Sequence, residues 1–492
     1  MFHRVLIANR GEIACRVAAT LRTHGIRSIA VYSDADAGAL HVRRADEAVR
    51  LGPAEARLSY LNIDAILAAT RASRAEAIHP GYGFLAESAA FAEAVERAGL
   101  VFIGPTPEQA RRFGDKRLAR EAARQAGVPV VPGFEGADDA ALLAAAQKLG
   151  YPVVVKAALG GGGKGMTVAG DAGELGEALT SARRVAQAAF GEGSVYLEKR
   201  VEHPRHVEVQ IVGDGRGEVV HFFERECSLQ RRHQKVLEET PSPGASDAVR
   251  AAMCEAAVSL ARSVQYRGAG TVEFLLAPDD RFYFLEVNTR LQVEHPVTER
   301  TTGADLVWWQ LVAAAEGRLV ATQSEIQRTG HAVEVRVYAE DPAQEFLPQA
   351  GRLARVAWPK GEHARVDAGV ETGSEVPLHY DPILAKIIVD GPDRATAWQR
   401  LAAALDETIV HGVVTNVDFL RALARDPELA AGRFDTTTLE AGFIERYRDV
   451  ATAPAPDLAL VGAALAEARG TSAGSARRVP DPFDTLGTWG RA

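Results

Sequence analysis

Two carboxylates and an amide are spaced to meet on a sheet in the segment TVEFLLAPDDRFYFLEVNTRLQVEHPVTE, residues 271–299. The runs TVEFLLA and RFYFLEVN flank Pro278-Asp279-Asp280, the pattern of a β-hairpin. A turn centred on Asp279-Asp280 pairs Glu273 with Glu286, and strand alternation puts Asn288 on the same face as Glu286. Facing carboxylates repel each other unless a cation lies between them. Two acidic oxygens and an amide suit a hard divalent ion of the kind held together with substrate phosphates. A solvated surface hairpin could carry the same acids. Against that, Arg290, Gln292, Glu294 and His295 crowd into the next few residues. A cation clamp and a carboxylate beside a metal–phosphate site are the parts of a phosphoryl-transfer centre.

Other stretches carry anion-binding chemistry. The strand-like PVVVKA leads to Gly160–Gly163 and Lys164, and strand-like MTVA follows. Glycines let backbone N–H groups approach an anion, and the lysine adds charge. The run lacks the G-K-[ST] of a Walker loop and lies between strands, which suits a lid over phosphates better than a linker. SLQRRHQKVLEE is dense in Arg231, Arg232, His233 and Lys235. Composition alone would make it a solvated strand edge, yet in a chain of net charge −9 such a cluster suits anionic substrates. In HPGYGFLAES two glycines bracket Tyr82, marking a turn. Arg336 stands in the apolar run HAVEVRVY, where a guanidinium is costly unless paired; a structural salt bridge and a functional role satisfy that requirement equally.

EVNTRLQVEHPVTE closely resembles the signature of biotin carboxylases, the ATP-grasp component of biotin-dependent carboxylases, and ANRGEIA near the N-terminus and SLQRRHQKVLEE resemble other segments of the same family. The resemblance covers roughly residues 2–446. It implies carboxylation of carrier-bound biotin, dependent on ATP and bicarbonate and passing through carboxyphosphate. Glu273, Glu286 and Asn288 would hold Mg²⁺ or Mn²⁺, and Glu294 would take the bicarbonate proton. Arg290, Lys235, Gln292 and the Val293 backbone would position the anion, and Arg336 would stabilise the biotin anion. The family places Lys116, Lys156, Gly162, Gly163, Lys164, Met166, Glu198, Lys199, Arg200, Val201, His206, Gln230 and His233 around the nucleotide. It places Tyr82 and Glu87 toward biotin and bicarbonate, and Arg16 at a subunit contact. Another carboxylate-activating ATP-grasp ligase, of the carbamoyl-phosphate type, is disfavoured by QVEHPVTE and by the Arg336 strand. An inactive ATP-binding scaffold is disfavoured because every expected catalytic position is filled.

These residues need a scaffold of several domains, which 492 residues allow. The expected architecture is α/β and α+β. A doubly wound N-terminal (pre-ATP-grasp) domain occupies 1–114, and an ATP-grasp domain 115–330 with a mobile lid at about 131–203. A mixed α+β domain follows at 331–446. RVLIA, the helix NRGEIACRVAATLRTHG stopped by Gly25, and SIAVYS open a β-α-β unit, and no G-x-G-x-x-G follows the first strand, which excludes a dinucleotide site there. Thr106-Pro107-Glu108-Gln109 is a capping box whose helix breaks near Gly114, with a second segment running to Gly127. HVEVQIVGDGRGEVVHFFERE reads as a hairpin turning at Gly213-Asp214-Gly215. Short strands in GRLARVAWP, ARVDAGV and AKIIVDGP and helices near 395–406 and 416–425 follow. Beyond 446 the composition turns to Ala, Pro, Ser and Gly around a short amphipathic helix at 457–469, a linker or docking tail ending in VPDPFDTLGTWGRA. That ending resembles the start of the segment that precedes the transferase-contacting domains of longer acyl-CoA carboxylase α subunits.

The acidic balance argues against a nucleic-acid binder, and no apolar run reaches membrane-spanning length. The first strand begins at once, leaving no room for a leader peptide, and Cys15, Cys227 and Cys254 have neither disulfide nor zinc spacing, as expected of a cytoplasmic protein. The resemblance implies a carboxyltransferase β subunit as partner and a homodimer or larger complex; the acyl-CoA is not legible. Carrier lysines sit beside methionines, but neither Met1, Met166 nor Met253 precedes a lysine. Biotin is therefore expected on another polypeptide or region, and intact-mass spectrometry should find none on this chain; a biotin adduct would overturn that expectation.

Overall fold

The computed structural model describes residues 1–134, 138–157, 166–191 and 193–451, with Val461, Gly462 and Leu465. Strands β1 (Arg4–Ile7), β2 (Arg27–Ser33), β3 (Glu47–Gly52), β4 (Ala77–His79) and β5 (Val101–Phe102) form a parallel sheet in the order β3-β2-β1-β4-β5. The apolar run Val5–Ile7 is fully buried, as a strand covered on both faces requires. The helix Gly11–Thr23 follows β1 and stops before Gly25, which takes φ +69°. The capping box forms as expected: the Thr106 hydroxyl accepts from Gln109 N–H, and the Gln109 amide oxygen accepts from Thr106 N–H. The helix Pro107–Gly114 then breaks at Asp115, whose carboxylate caps the helix Lys116–Gln125 and so fixes Lys116 at its first position.

A small antiparallel sheet, ordered β6-β9-β7-β8, comprises β6 (Gly133–Phe134), β7 (Val153–Ala157), β8 (Met166–Ala169) and β9 (Val195–Lys199). It has its own core of Leu142, Val153, Val155, Leu175, Leu179 and Leu197. Lys156 pairs with Met166, so the strands flanking the glycine run are neighbours; Gly162, Gly163 and Lys164 lie outside the described residues.

The site rests on an eight-stranded sheet that begins with β10 (Arg205–Asp214), β11 (Val219–Arg231), β12 (Gln234–Thr240), β13 (Arg267–Leu276), β14 (Phe282–Asn288) and β15 (His331–Tyr338). Their order is β14-β13-β10-β11-β12-β15, and the strands Ile383–Gly391 and Ala364–Ala368 follow β15. Period-2 alternation sorts the faces. Val207, Val209, Val272 and Phe274 join Met253, Ala257 and Leu260 of the helix Asp247–Ser263 in one apolar core. His206, Glu208, Gln210, Thr271 and Glu273, the alternate residues, are left for the other face.

Two turns differ from expectation. The β10–β11 reversal lies at Gly215–Glu218, because the Asp214 carboxylate accepts from the N–H groups of Arg216 and Glu218. The β13–β14 turn is centred on Asp279: Ala277 N–H donates to the Arg281 carbonyl at 2.8 Å, and Asp280 takes φ +65°. From that turn alone Glu273 would face Leu285. A bulge leaves Leu285 unpaired and restores the Glu273–Glu286 pair, with Thr271 opposite Asn288.

The longer C-terminal strands join the eight-stranded sheet, while among the described residues the short ones pair off in three two-stranded sheets, including Gly351–Arg352 with Glu375–Val376 and Arg355–Ala357 with Ile409–His411. β15 pairs with β12 on one side and with Ile383–Gly391 on the other, which is why HAVEVRVY is buried along its whole length. The helices Arg394–Glu407 and Val417–Arg425 agree with expectation. Residues from Glu445 on belong to a second compact unit. Apart from the end of the helix Ile444–Ala451 and Val461, Gly462 and Leu465, the tail and the helix expected at 457–469 lie outside the described residues. Among the described residues no helix is long and apolar enough to cross a membrane.

Candidate active site

Glu273 and Glu286 are in register on neighbouring strands, but they are not equivalent. Glu273 Oε1 accepts from Asn288 Nδ2 (2.7 Å), Gln292 Nε2 (2.9 Å) and Lys235 Nζ (3.0 Å), and Oε2 lies 2.8 Å from His206 Nε2. Burial would raise the Glu273 carboxyl, yet Lys235 and His206 hold it well below the usual carboxylate range. Burial would lower the His206 imidazole, but the Glu273 charge and hydrogen bond, together with Glu208, raise it. The half-buried Glu286 carboxylate makes no hydrogen bond or ion pair among the described residues, and burial together with Glu273 pushes it up, with Lys116 opposing. The expected repulsion thus falls on Glu286 alone.

This donor set fits a divalent cation. Among the described residues Glu286 makes no ion pair, and the one partner of the Asn288 amide oxygen is Arg290 Nη2 at 3.4 Å. Glu273 would have to exchange one of its four donors for the metal. A second acid–imidazole cluster, His206, Glu208 and Glu273, has ligand atoms within 4.8 Å of one another, but Lys235 Nζ already bridges its two carboxylates.

Lys235 stands at the centre of the acids. Its Nζ donates to Glu208 Oε2 at 2.6 Å, Glu294 Oε1 at 2.6 Å and Glu273 Oε1 at 3.0 Å. Glu294 Oε2 accepts from Arg336 Nη2 at 3.0 Å, so the expected proton acceptor is suspended between two cations. Burial alone would raise the Glu294 carboxyl; Lys235, Arg336 and Arg225 hold it well below the usual range. Arg336 also donates from Nε to Glu238 Oε1 at 2.7 Å, so it is an ion-paired residue and a neighbour of the expected base at once. Arg290 donates from Nη1 to Gln292 Oε1 at 2.8 Å, and its Nε lies 3.2 Å from Glu87 Oε2. Glu87 also accepts from Thr289 N–H at 3.2 Å, which ties the HPGYGFLAES turn to the hairpin. The Val293 carbonyl accepts from Lys386 Nζ at 2.7 Å, and Lys386 lies 5.8 Å from the centre of the Tyr82 ring.

The expected nucleotide residues scatter more widely. Lys156 Nζ is paired with Glu198 of β9. Lys199 donates its ammonium to the carbonyls of Gly150 and Tyr151, at 3.0 and 2.8 Å, and so braces β7 rather than presenting a free charge. Gln230 is buried opposite Lys235 in the β11–β12 ladder, His233 is exposed at the tip of that hairpin, Met166 opens β8, and Arg200 and Val201 follow β9. Arg16 is engaged within the chain, 2.7 Å from Glu299 and 2.9 Å from Asp305. Cys227 Sγ lies 3.9 Å from Glu294 Oε1; burial pushes its thiol up, in keeping with an inert residue.

Sequence reading missed Glu208, Arg225, Glu238, Glu334 and Lys386, all fully buried. Arg225 holds Glu208 at 2.5 Å and also bonds Gln210, Thr271 and Thr298. The available signal was alternation: His206, Glu208 and Gln210 are polar residues at every second place in an otherwise apolar strand.

Comparison with known proteins bears on the whole chain. Residues 1–110 match the biotin carboxylase N-terminal domain, 115–322 the ATP-binding domain of the carbamoyl-phosphate synthase L chain, and 334–441 the biotin carboxylase C-terminal domain. The chain is 48% identical to biotin carboxylase from Halalkalibacterium halodurans, over 89% of this chain and 97% of that protein. It is 45% identical to the mitochondrial methylcrotonoyl-CoA carboxylase subunit alpha of Dictyostelium discoideum, over 98% of this chain and 70% of that one. It spans 60–70% of the length of the methylcrotonoyl-CoA carboxylase α subunits it matches. The biotin carboxylase domain dimer of Hydrogenobacter thermophilus 2-oxoglutarate carboxylase, solved with MgADP, ADP and bicarbonate, superposes with a TM-score of 0.85 at 40% identity, covering 90% of this chain and 98% of that one. With two family-specific domains flanking an ATP-binding domain, and with a relative matched over nearly its full length, the chain belongs to the biotin carboxylase family.

Proposed function

We propose that this chain carboxylates biotin on a separate carrier protein or domain, using ATP and bicarbonate, as the first half-reaction of an acyl-CoA carboxylase. The observation that carries this reading is Glu294, a buried carboxylate held between Lys235 and Arg336. Alone, so stabilised an anion is a poor base. Bicarbonate drawn to Lys235 and Arg290 competes for the Lys235 ammonium, and each donor Glu294 gives up raises its affinity for a proton. The base is thus strengthened when its substrate arrives. The deprotonated bicarbonate oxygen attacks the γ-phosphorus of ATP, ADP leaves, and carboxyphosphate forms, then splits to CO₂ and phosphate. Phosphate takes the N1′ proton of biotin, and the nitrogen attacks CO₂. Arg336, oriented by Glu238, faces the charge that develops on the ureido oxygen.

Glu273, Glu286 and Asn288 would hold the divalent cation, which neutralises charge on the nucleotide phosphates. Lys116 supplies positive charge on that side, burial with Lys116 and Arg120 pushes the Lys156 ammonium down to about 7 so that its charge is completed when phosphate arrives, and the small sheet within residues 131–203 acts as the lid. The name of the Dictyostelium relative supports a carboxyltransferase partner and an acyl-CoA as final acceptor, and the Hydrogenobacter title supports MgADP, bicarbonate and a dimer. Three free, buried cysteines fit the cytoplasm or another reducing compartment.

The two metal-site acids should separate in stability. Glu286 has a raised carboxyl in the fold, so its contribution is retained at low pH and lost as pH rises through its folded value. Glu286→Gln removes that loss, so the metal-free variant should melt at or above the wild-type temperature, by a margin that grows from mildly acidic to neutral pH. Glu273 is lowered, so its contribution is present at neutral pH and lost on acidification. Glu273→Gln should lower neutral stability by roughly 1–3 kcal/mol, the scale of a lost charged hydrogen bond. Both variants should weaken Mg²⁺–ATP use. Equal melting losses in both would show that Glu286 is a structural partner and not a ligand.

The half-reactions should also separate. Glu294→Gln removes the base and should slow bicarbonate-dependent ATP cleavage by ~10²–10⁴, with or without biotin. Arg336→Ala frees one oxygen of Glu294 from a cation, which makes it more basic, so slow ATP cleavage without biotin should persist while biotin carboxylation falls about a hundredfold or more. Full carboxylation by Arg336→Ala, or unchanged ATP cleavage by Glu294→Gln, would overturn these roles.

A further inference from the structure

Glu238 and Glu334 are cross-strand partners on β12 and β15, and both are fully buried. Directly opposed residues of this kind bring their Cβ atoms to about 4.5–5.5 Å. Glu238 Oε1 is held by Arg336, but Glu238 Oε2 and both oxygens of Glu334 have no hydrogen-bond partner among the described residues. Three bare carboxyl oxygens on facing residues in a closed interior would be severely destabilising if both groups were ionised.

Among the described residues no surrounding cation bonds to Glu334. On β15 itself, Arg336 is shared between Glu238 and Glu294. On the strand Ile383–Gly391, Lys386 sits across from Arg336; its Nζ binds the Val293 carbonyl and lies 3.5 Å from Glu12 and 3.9 Å from Asp367. From the helix His295–Thr302, which packs on β15, come Glu294, just before its first residue, and His295. Glu294 adds negative charge. His295 has Nδ1 2.8 Å from the Gln292 carbonyl, and burial with Lys386 keeps its imidazole neutral. Lys386 and Arg336 thus act on Glu334 only through their fields, and among the described residues neither donates to it.

We infer that Glu334 keeps its proton and donates it to Glu238 Oε2, so that the pair carries one negative charge and orients Arg336 through Glu238. A carboxylic acid has one O–H donor and a carboxylate only acceptors, so a single shared proton satisfies two of the bare oxygens at once. Burial agrees: it holds the Glu334 carboxyl well above its ordinary range despite Lys386, with Glu238 and Glu294 adding to the effect. Glu334 is then a positioning residue for the biotin half-reaction, an assignment that rests on the function proposed above.

Infrared spectroscopy of the intact chain reads the proton directly. At mildly alkaline pH, where Glu12, Glu208 and Glu340, each raised to about 7, have ionised, the wild type should still show the carbonyl stretch of a buried protonated carboxyl, shifted in D₂O and absent there from Glu334→Gln. Kinetics read the positioning. Glu334→Gln keeps a donor facing Glu238 and should carboxylate biotin within about threefold of wild type. Glu334→Ala leaves Glu238 loose and should lose about tenfold to a hundredfold in kcat for biotin, the scale on which small misplacements of a preorganised group are felt. Its bicarbonate-dependent ATP cleavage without biotin should change far less. Absence of the band, its survival in Glu334→Gln, or a Gln variant as impaired as Ala would each overturn the inference. If Glu334→Ala does not fold, the band and the Gln variant decide. The band is measured on the protein alone, so it judges the shared proton whether or not the wild-type chain carboxylates biotin.

Discussion

Lys235 is the charge on which the site depends. One ammonium binds Glu208, Glu273 and Glu294, which come from β10, from β13 and from the residue preceding the helix His295–Thr302. Without it three buried carboxylates would face one another, and that interior would have to take up protons or water. Arg225 and Arg336 complete the balance at either end, through Glu208 and Glu294. Replacing such a network with well-packed apolar residues is often neutral or stabilising, so stability does not explain its presence. The apolar alternation of the same strands, packed on the helix Asp247–Ser263, supplies the core. The acids and cations are better understood as a held arrangement that an anionic substrate can enter by exchange, taking donors from carboxylates already in place.

How much of this was legible in the sequence follows from range. Local signals were reliable. The capping box at Thr106, the stop at Gly25 and the strand character of HAVEVRVY all depend on neighbours within a few residues. The Glu273–Glu286 pair was also legible, but through two offsetting irregularities: the turn lies half a residue from where its composition suggests, and the bulge at Leu285 shifts the register back. Hydrophobic patterning explains that compensation. Without the bulge, Glu286 and Asn288 would exchange faces with Leu285 and Val287, and Val287 belongs to the apolar core. Face selection outweighs turn geometry.

Glu208, Arg225, Glu238 and Lys386 were not legible because nothing local distinguishes a polar residue that is paired across the sheet from one that is solvated. Arg225 finds Glu208 only because β10 and β11 pair through a bulge, and Lys386 reaches the Val293 carbonyl from a strand nearly a hundred residues further along the chain. The same ignorance of pairing made Glu273 and Glu286 look equivalent. Their sequence contexts are alike, but Glu273 bonds directly to Lys235 and His206 from other strands, while Glu286 feels Lys116, His206 and Lys235 only through their fields, which do not outweigh burial and Glu273.

The β11–β12 hairpin shows how such a site keeps a locally unfavourable conformation. Arg231 pairs with Gln234, so Arg232 and His233 form a two-residue turn, and both have positive φ, +47° and +65°. That is the geometry of a type I′ turn, which favours Asn-Gly and not Arg-His. Left-handed backbone at two side-chain-bearing residues costs on the order of 1–3 kcal/mol each. The structure offsets this from outside the hairpin: Glu440 accepts from Arg232 N–H at 2.6 Å, and Glu345 pairs with the Arg232 guanidinium at 2.9 Å. Glycine would relieve the strain but would remove both the guanidinium that Glu345 holds and the imidazole at the tip. The residue types in the turn are therefore set by what the tip must present and by the acids that hold it there. Lys235, two residues beyond His233, inherits its place among the three carboxylates from a turn fixed in this way.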